Sequence, residues 1–210
     1  MTTATGEMSP PPFYAVRLAI EREPKQSRLL NLPFLVGTVI RLILLVPNLV
    51  VFYYLYNAAF LAAFVSMWGI LFTGRYPRGL FKLEVGIMRW AFNLGGYLSH
   101  LFDDYPPMDL EQRPDRPLRL DVDYPEHPSR WLNLPFFPVK FLLVIPHIIV
   151  LYVVGIIALL LVFIAQIVIL FTGSFPAGLH GFVVGYQRWY CRVIGYLAAF
   201  TDKYPPFSLS

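Results

Sequence analysis

The residues able to do chemistry are few, and most come in matched pairs. Arg41 and Lys140 are the only charges in two apolar runs, Val36 to Phe72 and Val139 to Phe171. Each stands six residues before an internal proline, Pro47 or Pro146. A cation so placed binds a lipid phosphate or, more commonly, extends its charged end to the membrane interface. His147, after Pro146, has an imidazole suited to a metal or a tetrapyrrole. It has no second ligand at helical spacing, so a hydrogen-bonded or interface-facing histidine is expected. Asp103, Asp104 and Asp202 offer carboxylates for acid–base work, but no nucleophile, metal cluster or phosphate loop accompanies them, so they read as solvated end charges. Cys191 is the single cysteine and cannot pair within the chain. The segments Phe72–Leu80 and Phe171–Leu179 share the pattern Phe-Thr-Gly-x-x-Pro-x-Gly-Leu. It reads as a tight turn or as an anion cradle, with Arg75 and Arg78 adding charge where the second copy has Ser174 and Ala177. Arg89, Arg188 and Arg192 complete the candidate lipid-headgroup cations. No catalytic, cofactor-binding or metal-ligating set emerges, and no cofactor is expected.

The pairing of these residues reflects a tandem duplication. Arg17-Leu18, Ser27-Arg28 and Asn31-Leu32-Pro33 recur as Arg119-Leu120, Ser129-Arg130 and Asn133-Leu134-Pro135. After a short deletion, Arg41, Pro47, Phe72-Thr73-Gly74, Arg89-Trp90 and Tyr105-Pro106-Pro107 recur as Lys140, Pro146, Phe171-Thr172-Gly173, Arg188-Trp189 and Tyr204-Pro205-Pro206. The chain therefore divides into a polar N-terminal tail, 1–13, a first membrane repeat, 14–110, and a second, 111–210. Residues 1–13 lack the basic region and apolar core of a cleaved signal peptide.

Within one unit, Arg17 to Glu21 and Arg119 to Asp123 alternate apolar and polar residues. They read either as short strands, able to pair with each other at the water boundary, or as extended linkers. The apolar run comes next. Val139 to Phe171 would make a helix of roughly 50 Å against about 30 Å of hydrocarbon, so it either crosses once after a surface portion or folds back as a hairpin. The hairpin is the preferred expectation, with Tyr53, Tyr54, Tyr56 and Asn57 near one turn and Gly155 near the other. The last segment, Pro77 to Phe102 and Pro176 to Phe200, reads as a helix. Arg188 and Arg192 in its middle argue for an amphipathic helix in the interface, with Trp90, Tyr97, Trp189, Tyr190 and Tyr196 at headgroup depth. A second span with its arginines facing protein is the rival. Gly86, Gly96, Gly185 and Gly195 mark small faces for packing against another unit or subunit.

The frame of an Arg-Leu start, a Ser-Arg pair, an apolar run with internal proline, Phe-Thr-Gly-x-x-Pro-x-Gly-Leu, Arg-Trp and a closing Tyr-Pro-Pro resembles an uncharacterised bacterial membrane-protein family, domain of unknown function 4389. It is present as two tandem copies. The resemblance implies a small integral membrane protein and brings no activity or catalytic residue with it. The first copy departs at Asn48, where the second has a Pro-His pair closer to the family pattern.

Composition agrees with the membrane reading: 57% of residues are hydrophobic and only 14% charged, against about 25% charged in ordinary soluble domains. The net charge of +4 flanks apolar runs, so phospholipid rather than nucleic acid is the expected counter-charge. Matching basic residues in both copies require each unit to cross the membrane an even number of times. The sequence thus predicts an all-α integral membrane protein made by tandem duplication. Each unit is an apolar helical hairpin or long helix plus an amphipathic helix, with short extended or β segments at the membrane surface. The expected setting is the bacterial inner (cytoplasmic) membrane, multi-pass, with both termini cytoplasmic. The expected role is non-enzymatic: a structural or accessory subunit packing in a larger membrane-protein complex, against itself or against lipid. A small transporter or channel and a membrane-shaping hairpin protein are the alternatives.

Overall fold

Each apolar run forms one continuous helix, and the hairpin expectation is corrected. In the computed structural model, which describes residues 14–135 and 139–210, α1 covers Val36–Thr73 and α3 covers Val139–Thr172. Neither Pro47 nor Pro146 ends its helix. At the expected turns the helix also continues: Asn57 Nδ2 donates back to the Tyr53 carbonyl at 2.7 Å, and a single glycine such as Gly155 costs a helix only about 1 kcal/mol, too little to reverse the chain. The expected tail, 1–13, lies outside the described residues. Both long helices end where sequence chemistry stops them: Gly74 and Gly173 take the left-handed conformation at φ 70° and 75°, which costs glycine nothing. Pro77 and Pro176 then cap α2, Arg78–Leu98, and α4, Ala177–Leu197. The two helices are long and apolar enough to cross a membrane.

Of the two readings of the alternating segments, strands are the one realised. β1, Val16–Ile20, and β2, Leu118–Val122, form an antiparallel pair with Leu18 opposite Leu120 and Val16 opposite Val122. The register is symmetric about the Leu18–Leu120 pair. The ion pair Arg17–Asp123 at 2.7 Å is accordingly matched by Arg119–Glu21 at 3.3 Å. Val16, Leu18, Ile20, Leu118 and Leu120 turn inward, while Arg119 and Asp121 face out, the period-two pattern of a half-buried sheet.

Three layers result: the sheet and its flanking segments, then α2 and α4, then α1 and α3. The two units interlock, because β1 of the first packs on α4 of the second and β2 packs on α2. The core lies around α2 and α4. Trp90, Tyr97, Trp189 and Tyr196, expected at headgroup depth, are all buried there, and only Tyr190 is exposed. The short helices are therefore central elements rather than exposed interfacial ones. Their arginines face protein, as in the rival expectation.

Candidate functional site

Each long helix carries its cation to the end of the neighbouring short helix. The Arg41 side chain is wholly buried. It donates through Nη1 to the carbonyl oxygens of Tyr97 and Phe102, both at 2.8 Å, and forms an ion pair with Asp103. Lys140 repeats this in the second unit, donating to the Thr201 carbonyl at 2.7 Å and pairing with Asp202 at 2.9 Å. A cation here meets the unpaired carbonyls and negative dipole end of a helix C-terminus. Each aspartate in turn fixes the turn before the long helix: Asn31 Nδ2 donates to Asp103 at 2.9 Å, and Asn133 Nδ2 to Asp202 at 3.0 Å. Asp103 and Asp202 are thus ion-pair partners, not solvated end charges, and Arg41 and Lys140 point inward.

The other candidate cations divide by exposure. Arg75 and Arg78 are exposed at the α1–α2 turn, Arg78 lying over the Tyr124 ring. Arg89 donates to the Leu110 and Leu120 carbonyls, Arg188 to those of Leu18 and Leu209, and Arg192 to those of Ser208 and Ser210. The last three thus clamp strand and tail segments to the short helices. The glycines admit close approaches by the same segments. A Cβ at Gly86 or Gly185 would meet Leu110 or Leu209, one at Gly96 would meet Phe102, and one at Gly195 would fall 2.6 Å from Val16.

Asn48 and His147 have equivalent roles. Trp90 Nε1 donates to Asn48 Oδ1 at 2.6 Å, and Trp189 Nε1 donates to His147 Nδ1 at 3.0 Å. The His147 ring also stacks on Phe207 at 3.8 Å. Both residues supply an acceptor to a buried indole that needs one, so the departure in the first copy preserves the bond.

Two buried polar groups have no counterpart at the equivalent positions of the other unit. Glu84, on α2, accepts from Ser66 Oγ at 2.9 Å and from the Tyr76 hydroxyl at 2.8 Å. Burial pushes its carboxyl up to about 7, against the opposing pull of those two donors. The equivalent residues in the second unit are Ala165, Val183 and Phe175. The second group centres on His100, whose counterpart is Ala199. Both residues occupy the left-handed region just past the short helices, at φ 59° and 62°. His100 Nδ1 faces Asn31 Oδ1 at 2.8 Å, an oxygen that also accepts from Arg41. Nδ1 must therefore carry the proton, leaving Nε2 to accept from Gln166 Nε2 at 2.9 Å. Burial and the nearby Arg41 charge hold His100 neutral, down to about 3. Gln166 lies on α3, so this contact joins the units. Beside it opens a cleft of ≈ 450 Å³ whose walls are mostly apolar, among them Leu35, Ala158, Leu159 and Phe163, with Thr38, Ser99, His100, Gln166 and Tyr186 supplying polar atoms. Glu84 and His100 were missed in the sequence. Polar-for-apolar exchanges between equivalent positions of the two copies would have revealed them.

The paired architecture has a counterpart among known families. The family model described as Domain of unknown function (DUF4389) matches residues 36–108 and again 137–208, more than half of the chain. The chain belongs to this family. The two DUF4389 regions each hold a long helix, a short helix and the segment that folds back on it, and leave the strands outside. No curated protein and no solved structure matches the chain.

Proposed function

We propose that the protein is a non-enzymatic DUF4389 membrane protein of the bacterial cytoplasmic membrane, a structural or accessory subunit that packs against lipid, larger membrane proteins or itself, with its strand layer and termini cytoplasmic. One observation carries this reading: the outer faces of α1 and α3 expose apolar side chains along almost their whole length. Tyr54 at 70% and Phe60 at 75% exposure on α1, and Tyr152 at 72% and Leu159 at 68% on α3, are examples. Contiguous apolar surface of this extent marks a membrane or protein contact. The converging ionised groups support a structural role, since Arg41, Lys140, Asp103 and Asp202 are bonded to one another or to backbone. Gentle detergent extraction followed by native mass spectrometry tests the proposal. Co-migrating lipid or a membrane-protein partner is expected, and a solitary, lipid-free monomer counts against it.

A transporter built from the repeat pair is the second reading, favoured by the cleft at the junction of the units, with His100 and Gln166 beside it. Such proteins bind substrate where repeats meet. Solute flux into proteoliposomes would support it, and its loss in Gln166→Leu would tie it to the cleft.

A further inference from the structure

We propose that the protein lies in one leaflet of a bilayer, with α1 and α3 running along the membrane plane and the strand layer in water, so that all four helices begin and end at the same water boundary. This rests on the membrane reading above and specifies how the apolar face is used.

The helix ends gather in two groups. At one, the C-terminus of α3, the N-terminus of α4, the C-terminus of α2 and the N-terminus of α1 meet. Arg22 donates to the Phe175 carbonyl at 3.1 Å, Gln26 N–H to the Gly173 carbonyl at 2.8 Å, and Gln26 Nε2 to the His100 carbonyl at 2.9 Å. At the other, Tyr124 donates to the Tyr76 carbonyl, the Arg130 guanidinium lies against Gly74, and Asn133 and Lys140 meet Asp202. Between the groups the chain runs along the full length of the short helices. β1 passes from Gly195 to Arg188 before residue 22 reaches Phe175, and β2 passes Arg89 before Tyr124 packs on Phe81.

This connecting layer carries exposed Glu21, Arg22, Lys25, Arg119, Asp121 and Asp123. If the helices stood across the bilayer, these charges, the pairs Arg17–Asp123 and Arg119–Glu21 included, would face its hydrocarbon from one side to the other, at a cost of about 2.5–3.5 kcal/mol for each charge at mid-depth. Laid flat, the same charges all reach water.

Symmetry gives an independent argument. The strand register is two-fold symmetric and equivalent residues Leu18 and Leu120 are both buried, so the axis runs perpendicular to the sheet and through the three layers. It therefore presents α1 and α3 on the same outer face. Upright helices would put this axis in the membrane plane and send equivalent basic residues, Arg28 and Arg130, to opposite sides, against the positive-inside bias. Flat seating keeps them together. A helix of 38 residues, about 57 Å long, is far too long for one crossing of about 30 Å but has no such limit in the plane.

The test uses the full chain in the bacterial membrane, with single cysteines at the exposed positions Arg28→Cys, Arg75→Cys, Asp121→Cys and Tyr54→Cys. Buried Cys191 is expected to label only on unfolding and reports that each variant is folded. A membrane-impermeant maleimide should label positions 28, 75 and 121 from the same side, in inverted vesicles and not in spheroplasts. A bimane at position 54, on the apolar outer face, should be quenched by brominated lipid chains. Labelling of positions 28 and 75 from opposite sides overturns flat seating while leaving membrane residence intact. A bimane that no brominated lipid quenches shows the face covered by protein and overturns lipid as its occupant. Release of the chain from membranes by carbonate washing overturns the membrane reading itself.

Discussion

The deepest charges in the molecule act through partners some sixty residues away in sequence, which explains both their stability and their poor legibility. Arg41 and Lys140 were recognisable as equivalent cations, but nothing local to them points to Asp103 or Asp202. Only folding α2 and α4 back along the long helices brings those carboxylates within reach. Replacing Asp103 by Asn leaves the Arg41 guanidinium buried without its counter-charge, with an expected loss of about 3–5 kcal/mol. Asp123→Asn, at a carboxylate that is 59% exposed, should change stability by less than about 1 kcal/mol. Denaturant unfolding in mild detergent checks both. Glu84 adds a pH dependence with a defined sign. Its folded carboxyl holds a proton up to about 7, whereas the unfolded chain releases it near 4.5. The stabilisation is therefore complete below pH 4.5 and lost as pH rises from 4.5 to 7. Thermal unfolding followed across that window should show the decline, and Glu84→Gln should flatten it.

At the level of elements, hydropathy and glycine–proline punctuation located the apolar run, the tight turn and the short helix of each unit, and alternation marked the segments that became strands, which read equally as linkers. Helix continuity and helix burial were harder to read. A hairpin was expected because α1 and α3 exceed a bilayer's thickness, a length argument that applies only to upright helices. The short helices looked interfacial because Arg188, Arg192, Trp189 and Tyr196 form an amphipathic pattern, but an amphipathic face fits a strand and a tail as well as it fits headgroups. Small residues decide how closely those segments approach. Gly195→Ala would drive a methyl into Val16 Cγ2 at 2.6 Å, lifting β1 from α4 at an expected cost of about 1–3 kcal/mol. Gly178→Ala, which meets nothing within 4 Å, should instead stabilise α4 by up to about 1 kcal/mol. Ala199→Gly should also stabilise, by about 1 kcal/mol, by relieving a left-handed alanine. Melting temperatures of the three purified variants make one internally controlled set.

For the molecule as a whole, the duplication suggests two autonomous units, but the contacts indicate otherwise. β1 of the first unit lies on α4 of the second, Gln26 bonds the end of α3, Gln166 reaches His100, and Tyr76 donates to the Ala198 carbonyl at 3.2 Å. Each half alone would expose the face of its short helix that the other half's strand covers. It would also take from Arg89 or Arg188 one of its two carbonyl acceptors, that of Leu120 or Leu18, and a buried donor left unpaired costs about 1–3 kcal/mol. Two chains, 1–110 and 111–210, expressed separately should therefore aggregate or be degraded, while co-expression should restore both as a complex that survives detergent purification. Affinity capture of one half with a tag on the other measures this. Independent accumulation of either half at the level of the intact chain would show that the sheet and its crossing contacts are dispensable, and that two-fold interlocking does not hold the fold together.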